Sequence, residues 1–139
     1  MDKLKVLVVD DEPDFVELIK CRLEYNGYEV IVAFNGIDGL KKIKEEKPNA
    51  VLLDILMPGP DGIKVLQKIR KDNKDLPVFI VTAFSNQERF EQAKQYNVSG
   101  FIIKTSDLKQ EVANITSAIR VSPMYKFINK KSTGQRDDV

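Results

Sequence analysis

The sequence predicts a doubly wound α/β fold, a five-stranded parallel sheet with helices on both faces. Three observations carry this expectation. Short, nearly continuous apolar runs recur five times; segments with apolar residues at helical spacing separate them; and glycine, proline or acidic residues stand at most changeovers. Runs that are apolar at almost every position suit strands covered on both sides. Parallel neighbours must be joined by crossovers, and the helical segments supply them, right-handed.

The elements follow in order. Leu4 to Val9 is the first strand, and Pro13 fits the first position of the helix after it. Phe15, Leu18/Ile19 and Arg22/Leu23 give that helix its period, and Gly27 stops it. Glu29 to Phe34 is the second strand; Ile37, Leu40 and Ile43 mark a helix that ends before Pro48. Ala50 to Asp54 is the third strand, followed by a helix from about Gly62 to Lys71 carrying Ile63, Leu66 and Ile69. Pro77 to Thr82 and Gly100 to Lys104 are strands four and five. The helix between them has a thin apolar face, Phe90, Ala93 and Tyr96, with Ser85 and Glu88 at capping-box spacing. Leu108, Val112, Ile115 and Ile119 define a last helix.

Composition excludes several classes. The chain has 139 residues, enough for one domain with a proper core, and a formal charge of only +1 gives no global field for nucleic acid or a membrane. No apolar run approaches the ~18 residues of a membrane helix, and a strand begins almost at the N-terminus, so a cytoplasmic protein is expected. Cys21 is the single cysteine and reads as a helix residue without a chemical role; the lysines Lys41, Lys42 and Lys44 read as a solvated face. Residues 121–139 form a polar, mildly basic tail, either a free end or the start of a linker, after a domain spanning residues 1–120.

In an open parallel sheet, ligands bind beyond the carboxyl ends of the strands. Four of the five strands deliver polar or charged residues there: Asp10 and Asp11, Asp54, Thr82 and Lys104. An apolar strand that finishes on a carboxylate needs a partner for the charge. Converging carboxylates stay ionised around a cation, and an oxygen-only donor set in a chain without histidine points to magnesium. Lys104 and Thr82 suit the oxygens of a phosphoryl group. Each residue also has an ordinary reading: Asp10 and Asp11 as helix caps, Thr82 as a strand residue, Lys104 as surface, Asp61 as loop and cap. Their joint arrival at one sheet edge favours a site.

Val9-Asp10-Asp11-Glu12, Asp54-Ile-Leu-Met-Pro-Gly-Pro-Asp-Gly62, Val81-Thr82-Ala83 and Lys104, in this order, resemble the receiver domain of bacterial two-component response regulators. The resemblance runs from about Leu4 to Ile119 and is closest to the single-domain, chemotaxis-regulator form. It implies a flavodoxin-like (βα)5 fold with strand order 2-1-3-4-5. It further implies Asp54 as phosphoacceptor; Mg2+ held by Asp10, Asp11, Asp54 and the Leu56 carbonyl; Thr82 and Lys104 on the phosphoryl oxygens; and Thr82 with Phe101 as the switch. Leu56 and Phe84 would tune dephosphorylation. The implied partners are a histidine kinase or phosphotransfer protein and a downstream protein on the helix 4–strand 5–helix 5 face, with no direct nucleic-acid binding. The chain departs from the family at Thr105, where proline is usual, and this bears on the aim of Lys104.

Other functions must explain the same residues. A nucleotide-binding domain needs a glycine-rich loop after strand one, and Asp10-Asp11-Glu12-Pro13 is acidic and stiff instead. An aspartyl-phosphate phosphatase would place its nucleophile after strand one rather than at Asp54. The receiver portion of a longer DNA-binding regulator is the other alternative. The expectation is a phosphoacceptor module rather than an enzyme, able to catalyse its own phosphorylation from small donors and its own dephosphorylation.

Overall fold

The computed structural model describes residues 3–57, 62–82 and 87–104, with positions 110, 113 and 117. The strands are β1 (Lys5–Val9), β2 (Glu29–Ala33), β3 (Ala50–Leu53), β4 (Val78–Thr82) and β5 (Gly100–Ile103). The helices between them are α1 (Pro13–Tyr25), α2 (Gly36–Glu46), α3 (Gly62–Asp72) and α4 (Gln87–Lys94). All strand pairs are parallel, in the order β2-β1-β3-β4-β5. The expected fold and strand order are both present. Ser85 and the apolar positions of the last helix lie outside the described residues; Gln110, Ala113 and Ser117 are helical.

Alternation along each strand divides the core into two layers. Val6 and Val8 of β1 join Leu52, Phe79 and Val81 under α1, through Phe15, Val16, Ile19 and Leu23. Leu7 and Val9 join Val51, Leu53, Val78 and Ile80 under α3, through Ile63, Val65, Leu66 and Ile69. The inner strands β1, β3 and β4 are therefore apolar on consecutive residues because both of their faces are covered, while the edge strands β2 and β5 are only partly buried.

Helix α2 packs differently from its apolar pattern. Ile37 is exposed, and the helix instead buries Gly36 and Gly39, with Leu40 and Ile43 partly covered. Two buried glycines let the helix backbone lie close to the sheet, so the bulky Ile37 falls outside the seam. Lys42 is not simply solvated either: its ammonium donates to the Val32 carbonyl at 2.5 Å and pairs with Asp38 at 3.4 Å.

Candidate functional site

Strand register brings the two key carboxylates level. Val9 pairs with Leu53, so Asp10 and Asp54 follow on adjacent central strands. The backbone ladder continues one rung further: Asp10 N–H donates to the Ala33 carbonyl at 3.1 Å and Asp54 N–H to the Val9 carbonyl at 3.0 Å. Both residues are thereby fixed as extensions of the sheet. Both are buried, Asp10 at 1% and Asp54 at 4% exposure.

Their side chains follow one pattern. Asp10 Oδ1 accepts from the Glu12 amide at 3.0 Å, and Asp54 Oδ1 accepts from the Leu56 amide at 2.9 Å. This is the turn that aspartate makes with an amide two residues on. In each case Oδ2 is left to face Lys104, whose Nζ lies 2.5 Å from Asp10 Oδ2 and 3.5 Å from Asp54 Oδ2. Glu12 Oε1 reaches the same ammonium at 2.6 Å, and the Phe15 ring lies beneath it, 4.2 Å from centroid to Nζ. Asp10 is thus no side-chain cap of α1; that N-cap is Glu12, which makes no side-chain capping bond.

Close packing of α3 sets the Asp54 loop. A Cβ on Gly62 would fall 2.3 Å from Ile55 Cα and 2.8 Å from the Asp54 carbonyl oxygen. Only glycine lets the first turn of α3 press against the backbone beside Asp54.

Electrostatics follow from burial. Desolvation pushes Asp10 up from 3.8 to about 6, against the pull of Lys104 and the Glu12 amide. Asp54 is raised too, by burial first, with the Asp11 charge adding to it. Burial works to lower Lys104, but its bonds to Asp10 and Glu12 outweigh this and raise it. Asp10 Oδ2 is buried with no hydrogen-bond partner beyond its ion pair with Lys104.

The structure therefore brings Asp10, Asp54 and Lys104 together as the sequence suggested, and adds Glu12. Carboxylate oxygens of Asp10, Glu12 and Asp54 lie within 4.8 Å of one another. Asp11 is half-buried on the bend after Asp10 and is felt at Asp54 through its charge. Thr82 ends β4 in register with Ile103, the residue before Lys104. Phe101 is half-buried on β5, its ring 5.0 Å from that of Phe90 on α4. Phe84 and Thr105 lie outside the described residues. Glu12 and Phe15 were missed as site residues: the third acid of the Asp10-Asp11-Glu12 run was a signal for one, while Phe15 read as plain helix core.

A model of the response regulator receiver domain matches residues 6–116. The probable transcriptional regulator ycf27 of Porphyridium aerugineum is 37% identical over 120 residues, which cover 86% of this chain and 50% of that protein. The alkaline phosphatase synthesis transcriptional regulatory protein PhoP of Bacillus subtilis is 32% identical over 137 residues, covering 94% of this chain and 56% of that protein. The chain spans about half the length of these curated relatives. Among solved structures, the response regulator TrrA of Thermotoga maritima, in complex with Mg2+ and BeF, has a TM-score of 0.72 at 34% identity, covering 83% of this chain and 98% of that one. A receiver domain protein of Methanospirillum hungatei has a TM-score of 0.76 at 28% identity, covering 84% and 93%.

Proposed function

The chain belongs to the response regulator receiver family, and from that premise we propose that Asp54 is the phosphoacceptor of a signalling switch. One observation carries the reading: Asp54 ends a buried strand with Oδ1 fixed by the Leu56 amide and Oδ2 facing the Lys104 ammonium. In the transfer, a carboxylate oxygen of Asp54 forms the new bond to phosphorus. The donor's bond to phosphorus breaks, and its electron pair leaves with the donor. Positioning and charge neutralisation supply most of such a step. Burial and the Gly62 contact give the positioning, and Lys104, with the Thr82 hydroxyl, takes the phosphoryl oxygens. The chain has no histidine, so a histidine kinase or phosphotransfer protein supplies the group.

The acidic cluster fits a hard divalent cation, since carboxylate oxygens of Asp10, Glu12 and Asp54 converge within 4.8 Å and the buried Asp10 Oδ2 is matched only by the Lys104 ammonium. Asp10, Asp11, Asp54 and the Leu56 carbonyl would hold Mg2+, which when bound neutralises the phosphoryl oxygens. Movement of Thr82 and Phe101 then alters the surface of α4, β5 and the helix that follows, where a downstream protein docks. The apolar Leu56 and Phe84 leave no group to orient a hydrolytic water, so loss of phosphate is slow, and Leu56→Asn with Phe84→Glu speeds its decay in magnesium.

The test of the acceptor is direct. Acetyl phosphate with Mg2+ adds one phosphoryl mass to the wild type and none to Asp54→Asn; unchanged labelling in that variant overturns the reading. A second reading is favoured by the length of the relatives, which are transcriptional regulators about twice as long. On it, the chain is the receiver portion of a DNA-binding regulator. An uninterrupted transcript running past Val139 into an output domain supports it, and a stop codon after Val139 removes it.

A further inference from the structure

We propose that Glu12 is a positioning residue: its carboxylate holds Lys104 in the resting state and releases the ammonium when Asp54 carries a phosphoryl group. The inference rests on the reading of Asp54 as phosphoacceptor. An ammonium has three N–H donors, and here it faces three carboxylates. Two are close, Asp10 at 2.5 Å and Glu12 at 2.6 Å, while Asp54, the group it is to serve, is at 3.5 Å.

The two close partners differ in what it costs to release them. The Asp10 side chain is 2% exposed and that of Glu12 58%. Without metal, freeing Asp10 leaves a buried carboxylate with no counter-ion, and with Mg2+ on Asp10 the exposed Glu12 is the close partner that remains; freeing Glu12 only returns it to water. The backbone of Glu12 stays fixed meanwhile: its N–H donates to Asp10 Oδ1 at 3.0 Å, and its carbonyl accepts from the Val16 amide at 3.0 Å. Only side-chain torsions have to change. The Phe15 ring, 4.2 Å from Nζ, keeps the ammonium inside the pocket while Glu12 leaves.

A phosphoryl group on Asp54 brings more negative charge to the same ammonium than the single carboxylate it displaces. The Glu12–Lys104 pair therefore opposes the phosphorylated state by its own strength. For an ion pair with one exposed partner that strength is small, so the effect is a few-fold adjustment rather than an on–off control.

The test is calorimetric titration of beryllofluoride into wild type, Glu12→Gln and Asp54→Asn at saturating Mg2+, so that a change in metal affinity does not enter. Glu12→Gln is expected to bind beryllofluoride about two- to fivefold more tightly at low ionic strength. The gap should narrow as salt is added, because an exposed pair is screened and a packing effect is not. Equal or weaker binding by Glu12→Gln, or a gap that ignores salt, overturns the role of Glu12 while wild-type binding leaves Asp54 standing. Failure of the wild type to bind, together with failure to gain a phosphoryl mass, overturns the Asp54 reading and this inference with it.

Discussion

The two sides of the sheet are held together by different kinds of contact. Around β1 and β3 the helices are anchored by apolar packing: α1 buries Phe15, Val16, Ile19 and Leu23, and α3 buries Gly62, Ile63, Val65, Leu66 and Ile69. Beside β4 and β5, the eight-residue α4 buries only Ala93. Its C-terminal connection packs Tyr96 and Val98 partly against the core and is tied as well by polar groups of α3. Arg70 Nε donates to the Tyr96 carbonyl at 2.5 Å, Arg70 Nη2 to the Asn97 carbonyl at 3.0 Å, and Gln67 Nε2 to the Tyr96 hydroxyl at 2.7 Å. Polar contacts near the surface exchange for water at small net cost, whereas buried apolar area does not. The side that positions the acceptor has more buried apolar contact than α4, and on the proposed reading α4 is where the molecule moves.

The largest expected effect separates these two kinds of contact. Leu66→Ala in α3 removes a fully buried side chain and should cost about 2–5 kcal/mol of stability. Phe90→Ala in α4 loses a half-buried ring and its contact with Phe101, and should cost less than half as much. Urea denaturation of both variants checks the comparison, and equal losses break it.

Next comes pH. Asp10 has the higher value in the folded state, about 6 against 3.8, so the folded protein binds the proton more tightly. Its contribution to stability is complete below the unfolded value and is lost as pH rises through about 6. That difference is worth about 3 kcal/mol. Asp54 is raised in the same sense, while Lys104, also raised, loses its contribution only in the alkaline range. Metal-free protein should therefore lose stability between about pH 4 and about pH 7, and Asp10→Asn should flatten that slope. A wild type and an Asp10→Asn variant with the same slope would show that the buried pocket is not its source.

A smaller effect sharpens the account of the acceptor loop. Gly62→Ala places a methyl 2.3 Å from Ile55 Cα, and relief of that overlap should cost about 1–3 kcal/mol. It should also slow phosphoryl gain from acetyl phosphate, because the shift falls on the backbone of Asp54. Stability lost with no change in that rate would mean that the contact serves the fold alone.

Much of this was legible from residue order. Strand ends were visible because apolar runs stop on acids, and one sheet edge collects all such ends in a parallel fold, so Asp10, Asp54 and Lys104 could be placed together without coordinates. Glu12 could not, since its role depends on how far one side chain reaches across the loop to a lysine 92 positions away. Phe15 was legible as core but not as the floor under an ammonium, because helical period gives a face and not a neighbour. Ile37 misled for the converse reason: it keeps the period of α2, yet the helix seats its glycines. The thin face of α4 was read correctly, because a helix with one small buried residue has no apolar stripe to display.

The most direct measurement is amide hydrogen exchange with and without acetyl phosphate and Mg2+, in wild type and Asp54→Asn. Phosphorylation of the wild type should change exchange chiefly from about Phe84 to Lys104, leave the packed segments of α1 and α3 protected, and do nothing in Asp54→Asn. A change confined to α1 and α2, or one that persists without Asp54, would contradict the division between a fixed acceptor side and a movable output side.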